Sequence, residues 1–469
     1  MGLNPCEWSL ILPPTFYILP SLPSPMPTQR TIRIGLLGFG TVGQGVWKHL
    51  HNNRAALSRR LGVDLEIARV GVRDLKKKRE VKVPASCLTT DLAAIVDDPT
   101  IDIVCELIGG VTTARELTVR ALKLNKVVVT GNKALLCEHG AELFRLVQRG
   151  RGHYFFEASV AGGIPIIKVL REGLIANRFR LIYGILNGTC NYILTQMAKE
   201  KRPFAEVLAD AKRLGYAEAD ESLDVDGWDA AHKAVILAYL AHGRWIKPKQ
   251  MLVQGIREIT PRDLSYAHEL GYTIKLLAII SRDFATNRVF ARVHPCLLPA
   301  GNLLASVNDV FNGICLCADV AGSTLLVGRG AGQDATASAV LSDIADAVVA
   351  LRGAPPPVIC EEDEATYARL GSGIEIASLA EITGRYYLRL TVHDRPGVLA
   401  DVARALADHQ ISIATMIQHE DRPTKTAEII FTTHASNEQS VHQACRHLKK
   451  LRAVMGAPFL LRILEDEGL

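Results

Sequence analysis

Thr31–Gly43 reads T-I-R-I-G-L-L-G-F-G-T-V-G. Its first seven residues form a short apolar run, the pattern of a strand buried on both faces. Gly38–Gly43 then supplies G-x-G-x-x-G, and Val46, Trp47 and Leu50 follow at helical spacing. A strand before the glycines and a helix after them is the context in which this motif binds a dinucleotide. The first glycine allows a tight turn, the second lets a pyrophosphate approach the backbone, and the third lets helix and strand pack closely. Free amides at the helix start then meet the phosphates. Gly38, Phe39, Gly40, Thr41, Val42 and Gly43 are therefore candidate cofactor-binding residues. A plain glycine-rich turn is the other reading of the same letters.

Outward from that motif the pattern continues. A second strand is expected over about Leu65–Val72, and Arg73 stands at its end. An acid at that place holds the ribose hydroxyls of NAD, whereas a cation suits the extra phosphate of NADP. Arg73 and the run Lys76–Arg79 favour NADP; Asp74 leaves NAD open, and a solvated basic turn is the plainer alternative. Ile101–Gly110 is a buried strand ending in two glycines, which places Gly109 where a ligand can lie against the backbone. A helix over Glu116–Leu124, a strand over Lys126–Thr130 and a helix from Ala134 follow. Lys133 sits at the strand end on the ligand side, either a surface lysine or a contact to cofactor or substrate. A strand over His153–Glu157 closes the unit.

The 469-residue chain is long enough for two or three domains with their own cores. It is 48% hydrophobic and 22% charged, an ordinary globular balance. The net charge of +5 comes without a basic block strong enough to imply nucleic acid. Its ten cysteines form no C-x-x-C pair, so neither a zinc knuckle nor a redox motif is indicated, and a reducing cytoplasm is the expected compartment. No apolar run is long enough to cross a bilayer. Residues 1–29 are apolar but broken by prolines and are read as a disordered extension, with Met26 as an alternative start.

The middle block mixes helices and strands and carries the most distinctive chemistry. Ala158–Pro165 is a glycine turn between domains, and Gly188–Asn191 a turn into a helix. Gly215–Lys233 reads G-Y-A-E-A-D-E-S-L-D-V-D-G-W-D-A-A-H-K, six acids followed by the apolar run Ala234–Leu240. Carboxylates there favour the positive end of a helix. Asp229 and Lys233 are four residues apart and share a helical face. That spacing is an ordinary surface pair, but this face leads into an apolar helix, where a partly buried lysine becomes a candidate proton donor. Gly328–Gly332 is a second glycine loop entering a small-faced helix, either an anion-friendly turn or a hinge. A Pro- and Glu-rich linker follows, and then strands and helices in the order βαββαβ.

Taken together, the segments from about Ile32 to Ile463 resemble homoserine dehydrogenase of the monofunctional bacterial form with a C-terminal ACT domain. The motifs that carry the resemblance are G-F-G-T-V-G, V-V-V-T-G-N-K-A-L-L, F-E-A-S-V-A-G-G-I-P-I-I, G-I-L-N-G-T-C-N-Y-I-L, D-V-D-G-W-D-A-A-H-K, G-R-G-A-G and H-D-R-P-G-V-L, in the family's order. The implied fold is α/β. It comprises an NAD(P)-binding Rossmann domain at 30–157, with helix 333–351 packing back on it, and an α+β substrate and dimerisation domain at 158–332. A linker at 352–384 leads to a βαββαβ ACT domain at 385–466.

The implied activity is reversible NAD(P)H-dependent reduction of L-aspartate 4-semialdehyde to L-homoserine, on the route to threonine, methionine and isoleucine. By resemblance Lys233 is the catalytic lysine, Asp229 orients it and binds substrate beside Glu218, and Lys133 lies near substrate and nicotinamide. Gly332 is an implied cofactor contact. The family's sodium site maps to backbone carbonyls of Glu157, Val160, Gly162 and Ile164. Gly397 matches the effector turn of an ACT domain that senses threonine, and the implied assembly is a homodimer or homotetramer. The chain departs from the family at Glu221, where proline is common, which predicts a looser acidic loop, and from Gly332 onward, where G-Q-D-A-T follows G-R-G-A in place of the usual G-G-x-P-T. Two other readings fit the residues: a reductase of another small aldehyde or hydroxy acid, and a non-catalytic amino-acid sensor. An acid pair suited to an amino group speaks against the first and an intact Lys233 against the second.

Overall fold

The computed structural model describes residues 30–150, 152–353, 373–421 and 425–464, so the extension at 1–29 and most of the expected linker lie outside the described residues. The first unit is a six-stranded parallel sheet: β1 (Thr31–Leu37), β2 (Asp64–Gly71), β3 (Leu88–Thr89), β4 (Ile103–Glu106), β5 (Val127–Thr130) and β6 (His153–Phe155), in the order β3-β2-β1-β4-β5-β6. Helices α1 (Thr41–Leu61), α2 (Leu92–Asp97), α3 (Thr112–Lys123) and α4 (Lys133–Gln148) make the crossovers. Every residue of β4 and β5 is buried, because helices cover both faces of a parallel sheet. The strand order reverses between β1 and β4, which opens a crevice at their C-terminal ends.

After β6 the chain passes through a short turn at Glu157–Ser159 into α5 (Ile166–Lys168) and a π-helical turn, Val169–Gly173. The second unit then runs β7 (Phe179–Ile185), α6 (Gly188–Glu200), α7 (Phe204–Arg213), α8 (Ser222–Val225), α9 (Trp228–His242), β8 (Leu252–Val253), α10 (Pro261–Glu269), β9 (Tyr272–Asp283), β10 (Arg288–Pro299), β11 (Phe311–Ala318) and β12 (Gly322–Arg329). Its main strands form an antiparallel sheet, β12-β11-β7-β9-β10. Twelve of the fifteen residues of α9 are buried, so this helix runs through the core rather than along it. The expected turn at Gly188–Asn191 is instead already helical: the Asn187 side chain accepts from the Cys190 amide at 2.8 Å and starts α6 at Gly188, four residues before Tyr192.

Helix α11 (Gln333–Ala350) leaves the second unit and packs on the first. Ala337, Val340, Ile344 and Val348 share one core with Val46 and Leu50 of α1. The close approach depends on Gly45, where a Cβ would sit 2.9 Å from both Ala337 and Gln333.

The last unit comprises β13 (Glu375–Ile376), β14 (Thr383–His393), α12 (Val398–Ala407), β15 (Ile413–Asp421), β16 (Thr426–Thr433), β17 (Ser436–Asn437), α13 (Glu438–Leu448) and β18 (Val454–Ile463). Its sheet order β18-β14-β16-β15 is that of the split βαβ sandwich read from the sequence. One feature goes beyond that reading. β18 also pairs in parallel with β10, Cys296 opposite Arg462 and Leu297 opposite Ile463, so the second and third units form a single twelve-stranded sheet. Across the same seam Arg389 of β14 donates to the fully buried Asp263 of α10 at 2.7 Å.

Candidate active site

The crevice between β1 and β4 holds a cleft of about 800 Å³ lined by Gly38, Phe39, Gly40, Thr41, Arg73 and Gly109, together with Lys77 and Lys78. Gly38 has φ +103°, and a Cβ there would lie 2.5 Å from the Leu107 carbonyl oxygen, so only glycine fits. Gly43 and Val42 are not among the lining residues. Gly43 packs beneath the turn, where a Cβ would meet the Gly38 carbonyl oxygen at 2.5 Å. The cleft therefore has the dimensions and the backbone surface for a dinucleotide, with its cationic end at β2.

A second cluster adjoins this cleft. Asn132 caps α4 and donates through Nδ2 to the Gly110 carbonyl at 2.7 Å, which ties the turn carrying Lys133 to the cleft wall. Lys133 Nζ lies 3.0 Å from Asp229 Oδ1, and Lys233 Nζ donates to Asp229 Oδ2 at 2.8 Å. Asp229 and Lys233 are 7% and 8% exposed, so this pair is not a surface ion pair. Burial alone would raise the Asp229 carboxyl, but the Lys233 and Lys133 charges outweigh it and hold the group well below the ordinary carboxylate range. The Asp229 charge in turn raises Lys133 against the cost of its burial. Lys233 also donates to the Leu186 carbonyl at 2.6 Å. Two of the three donors of its ammonium group are thus engaged, which leaves one direction for a reacting oxygen.

The acidic loop lies over this cluster. Glu218 is exposed, and its charge acts on Lys133. The looser loop expected at Glu221 is not found. Its carboxylate pairs with Lys212 at 2.6 Å and with Arg257 at 3.2 Å, and the Lys212 hydrogen bond pulls it down to about 2. Arg257 also holds Asp226 at 2.6 Å, so two cations tether the loop.

The remaining candidates are spread over three other places. Gly332, φ +114°, caps the start of α11 outside the residues that line the cleft. Glu157, Val160, Gly162 and Ile164 form the buried turn between the first two units. The Glu157 carboxylate accepts from the Ile167 and Lys168 amides, both at 2.9 Å. Gly397, φ +91°, opens α12 in the last unit.

Three further residues were not singled out in the sequence. Asn187 donates to Asp224 and to Asp229. Asp224 is half-buried, and its carboxyl is raised by burial and then by the neighbouring Asp229 charge. Asn312 is buried with neither amide atom partnered among the described residues, and a Cβ on Gly330 would lie 2.0 Å from its nitrogen. None of the three stands in a spacing that periodicity picks out.

Comparisons with known proteins identify the family. The family model described as homoserine dehydrogenase matches residues 165–345, its NAD-binding domain matches residues 38–157, and the ACT domain matches residues 386–453. Homoserine dehydrogenase from Pseudomonas aeruginosa is 40% identical over 438 residues, covering 92% of this chain and 99% of that protein. The Bacillus subtilis enzyme is 37% identical, covering 92% and 98%. Among solved structures, a homoserine dehydrogenase from Thiobacillus denitrificans superposes with a TM-score of 0.85 at 41% identity, covering 93% of this chain and 99% of that one. A hyperthermophilic archaeal homoserine dehydrogenase in complex with NADPH superposes with a TM-score of 0.58 at 27% identity, covering 70% and 100%.

Proposed function

The chain belongs to the homoserine dehydrogenase family, and from that premise we propose that Lys233 is the proton donor of its reaction and Asp229 the group that aims it. The reaction is the reversible NAD(P)H-dependent interconversion of L-aspartate 4-semialdehyde and L-homoserine. The observation that carries the assignment is the buried Asp229–Lys233 pair, joined by the half-buried Lys133 and tied to the cleft wall through Asn132. A reduced nicotinamide supplies the hydride when bound. As the carbonyl carbon gains it, the third donor of Lys233 stabilises the growing charge on oxygen and then transfers its proton. Lys133 is assigned as the contact to substrate and nicotinamide. Glu218 and Asp229 hold the substrate's amino group.

We assign NADP as the preferred cofactor because Arg73, Lys77 and Lys78 line one end of the cleft. Asp74 lines the same end, and one of its carboxylate oxygens accepts from the Lys76 amide at 2.7 Å. We place a sodium ion on the carbonyls of Glu157, Val160, Gly162 and Ile164. Val160 and Gly162 support this, since both are buried and no donor among the described residues meets their carbonyls. Threonine is the proposed effector at Gly397. The edge strand β12, with Val327 51% exposed, and Phe311 beside it support pairing of two copies through the substrate-domain sheet. No helix among the described residues is long and apolar enough to cross a membrane, and a cytoplasmic location is proposed with the biosynthetic role.

Kinetics of Lys233→Ala test the central assignment. Turnover should fall by orders of magnitude while NADPH affinity barely moves. Wild-type turnover in that variant would overturn it.

A further inference from the structure

Asn187 is buried at the end of β7, and its side-chain amide makes three of the four hydrogen bonds open to it. Its oxygen accepts from the Cys190 amide at 2.8 Å, which caps α6. Its nitrogen donates to Asp224 Oδ1 at 2.8 Å and to Asp229 Oδ2 at 2.9 Å. A flipped amide would set an oxygen against two carboxylates and a nitrogen against an N–H, so chemistry fixes which end is which. The residue before it takes part as well, because the Leu186 carbonyl accepts from Lys233. One dipeptide therefore grips both members of the Asp229–Lys233 pair, the backbone oxygen holding the ammonium and the side-chain amide holding the carboxylate.

The need for such a grip follows from the neighbouring acid. Asp224 and Asp229 approach the same amide nitrogen, and two carboxylates in a dry site tend to share a proton. A proton on Asp229 would release both lysines at once. A cation between the acids would keep them ionised but would compete with Lys233 for Asp229. A neutral amide with two N–H donors satisfies both carboxylates and adds no charge.

We propose that Asn187 is a positioning residue of the reaction: it holds Asp224 and Asp229 at a fixed separation, both ionised, so that Asp229 keeps the Lys233 ammonium aimed at the substrate oxygen. The inference rests on the assignment of Lys233 as proton donor. It assigns to a residue outside that pair the geometry on which the pair depends.

Asn187→Ser separates the two roles of the side chain. Serine is as good a helix cap as asparagine, so α6 keeps its start, but its hydroxyl is too short to bridge the two acids. Turnover should fall by about ten- to a hundredfold, the usual effect of losing a donor to a charged group. The KM for NADPH should stay unchanged, and the melting temperature should move by only a few degrees. Combined with Asp229→Asn, the serine change should cost little more than Asp229→Asn alone, because both act through one carboxylate. Asn187→Thr, also a helix cap and also too short to bridge the two acids, should lose turnover likewise and serves if the serine variant folds poorly. Wild-type turnover in either variant, or full additivity with Asp229→Asn, would overturn the proposal. Lys233→Ala assayed alongside separates the failures. If it is active, the underlying assignment is wrong; if it is inactive while Asn187→Ser turns over normally, only the positioning role falls.

Discussion

Lys133 and Lys233 reach the same carboxylate by its two different oxygens, at 3.0 and 2.8 Å from Asp229. They come from separate units, α4 of the nucleotide-binding sheet and α9 of the substrate domain, so the site is assembled only when the two units meet. Asp229→Asn leaves two ammonium groups around a neutral amide. Turnover should drop by about a hundredfold or more, the scale of a lost acid–base partner. The uncompensated buried charge should cost about 3–5 kcal/mol of stability at neutral pH. The sign with pH is definite. The folded-state carboxyl lies below its unfolded value, so its contribution is present above about pH 4 and fades as pH falls through the lower folded value. Urea unfolding at pH 7 and pH 3 checks this, with a narrower gap between wild type and variant at the acid end.

The proposed preference for NADP rests on the residues at the end of β2. Arg79 gives its guanidinium to the carbonyls of Asp74, Leu75 and Lys77, which curls the basic loop and leaves Arg73, Lys77 and Lys78 facing the cleft. Arg73→Ala should lower kcat/KM with NADPH by about ten- to a hundredfold, the effect of losing a charge-assisted contact to phosphate. The value with NADH should barely change. Paired initial rates with the two cofactors decide it, and an equal loss with both would place Arg73 elsewhere in the binding mode.

The parts of this molecule that were legible in the sequence are those governed by short-range spacing. The strand and glycine turn at Thr31–Gly43 announce a parallel nucleotide-binding sheet, since hydrophobic run, turn and helix lie within one crossover. Asp229 and Lys233 stand one helical turn apart ahead of an apolar run, so their shared face and burial follow from the letters. What stayed hidden depends on contacts between distant segments. Asn187 looks like a turn residue until Asp229, 42 positions away, is folded against it. The tether on Glu221 needs Arg257, 36 positions away, where the local letters show only a missing proline. The fusion of two sheets rests on two residue pairs between β10 and β18, and no periodicity in either strand encodes that register.

The same seam supplies a stability test. Asp263 is fully buried, forms a capping box with Thr260, and accepts from Arg389 at 2.7 and 3.3 Å and from the Tyr387 hydroxyl at 3.3 Å. Arg389→Met removes the cation and leaves the carboxylate. The expected cost is about 3–5 kcal/mol, since a buried charge without its partner is penalised beyond the worth of the pair. Denaturant unfolding of the full chain measures it. A loss of under about 1 kcal/mol, typical of an exposed ion pair, would mean that water reaches Asp263 and that the seam is looser than its hydrogen bonds imply.

The proposed sodium site makes the last prediction, through Glu157. Burial raises its carboxyl to about 7, against the pull of the Ile167 and Lys168 amides and the charges of Arg171 and Lys168. Asp343, fully buried and bonded to the Glu157 amide, is raised as well, first by burial and then by Glu157 itself. A carboxyl whose folded-state value exceeds its unfolded value contributes stability that is complete below about pH 4 and lost as pH rises through the folded value. The chain should therefore become less stable from pH 5 to 8. A cation on the carbonyls of this turn would favour ionised Glu157 and recover part of that loss, so its effect must grow with pH. Melting temperatures in sodium chloride should exceed those in choline chloride of equal ionic strength, by more at pH 8 than at pH 6. Glu157→Gln keeps the backbone carbonyls but removes the titration, so the sodium effect should persist and lose most of its pH dependence. Equal melting temperatures in the two salts at both pH values would remove the cation from this turn.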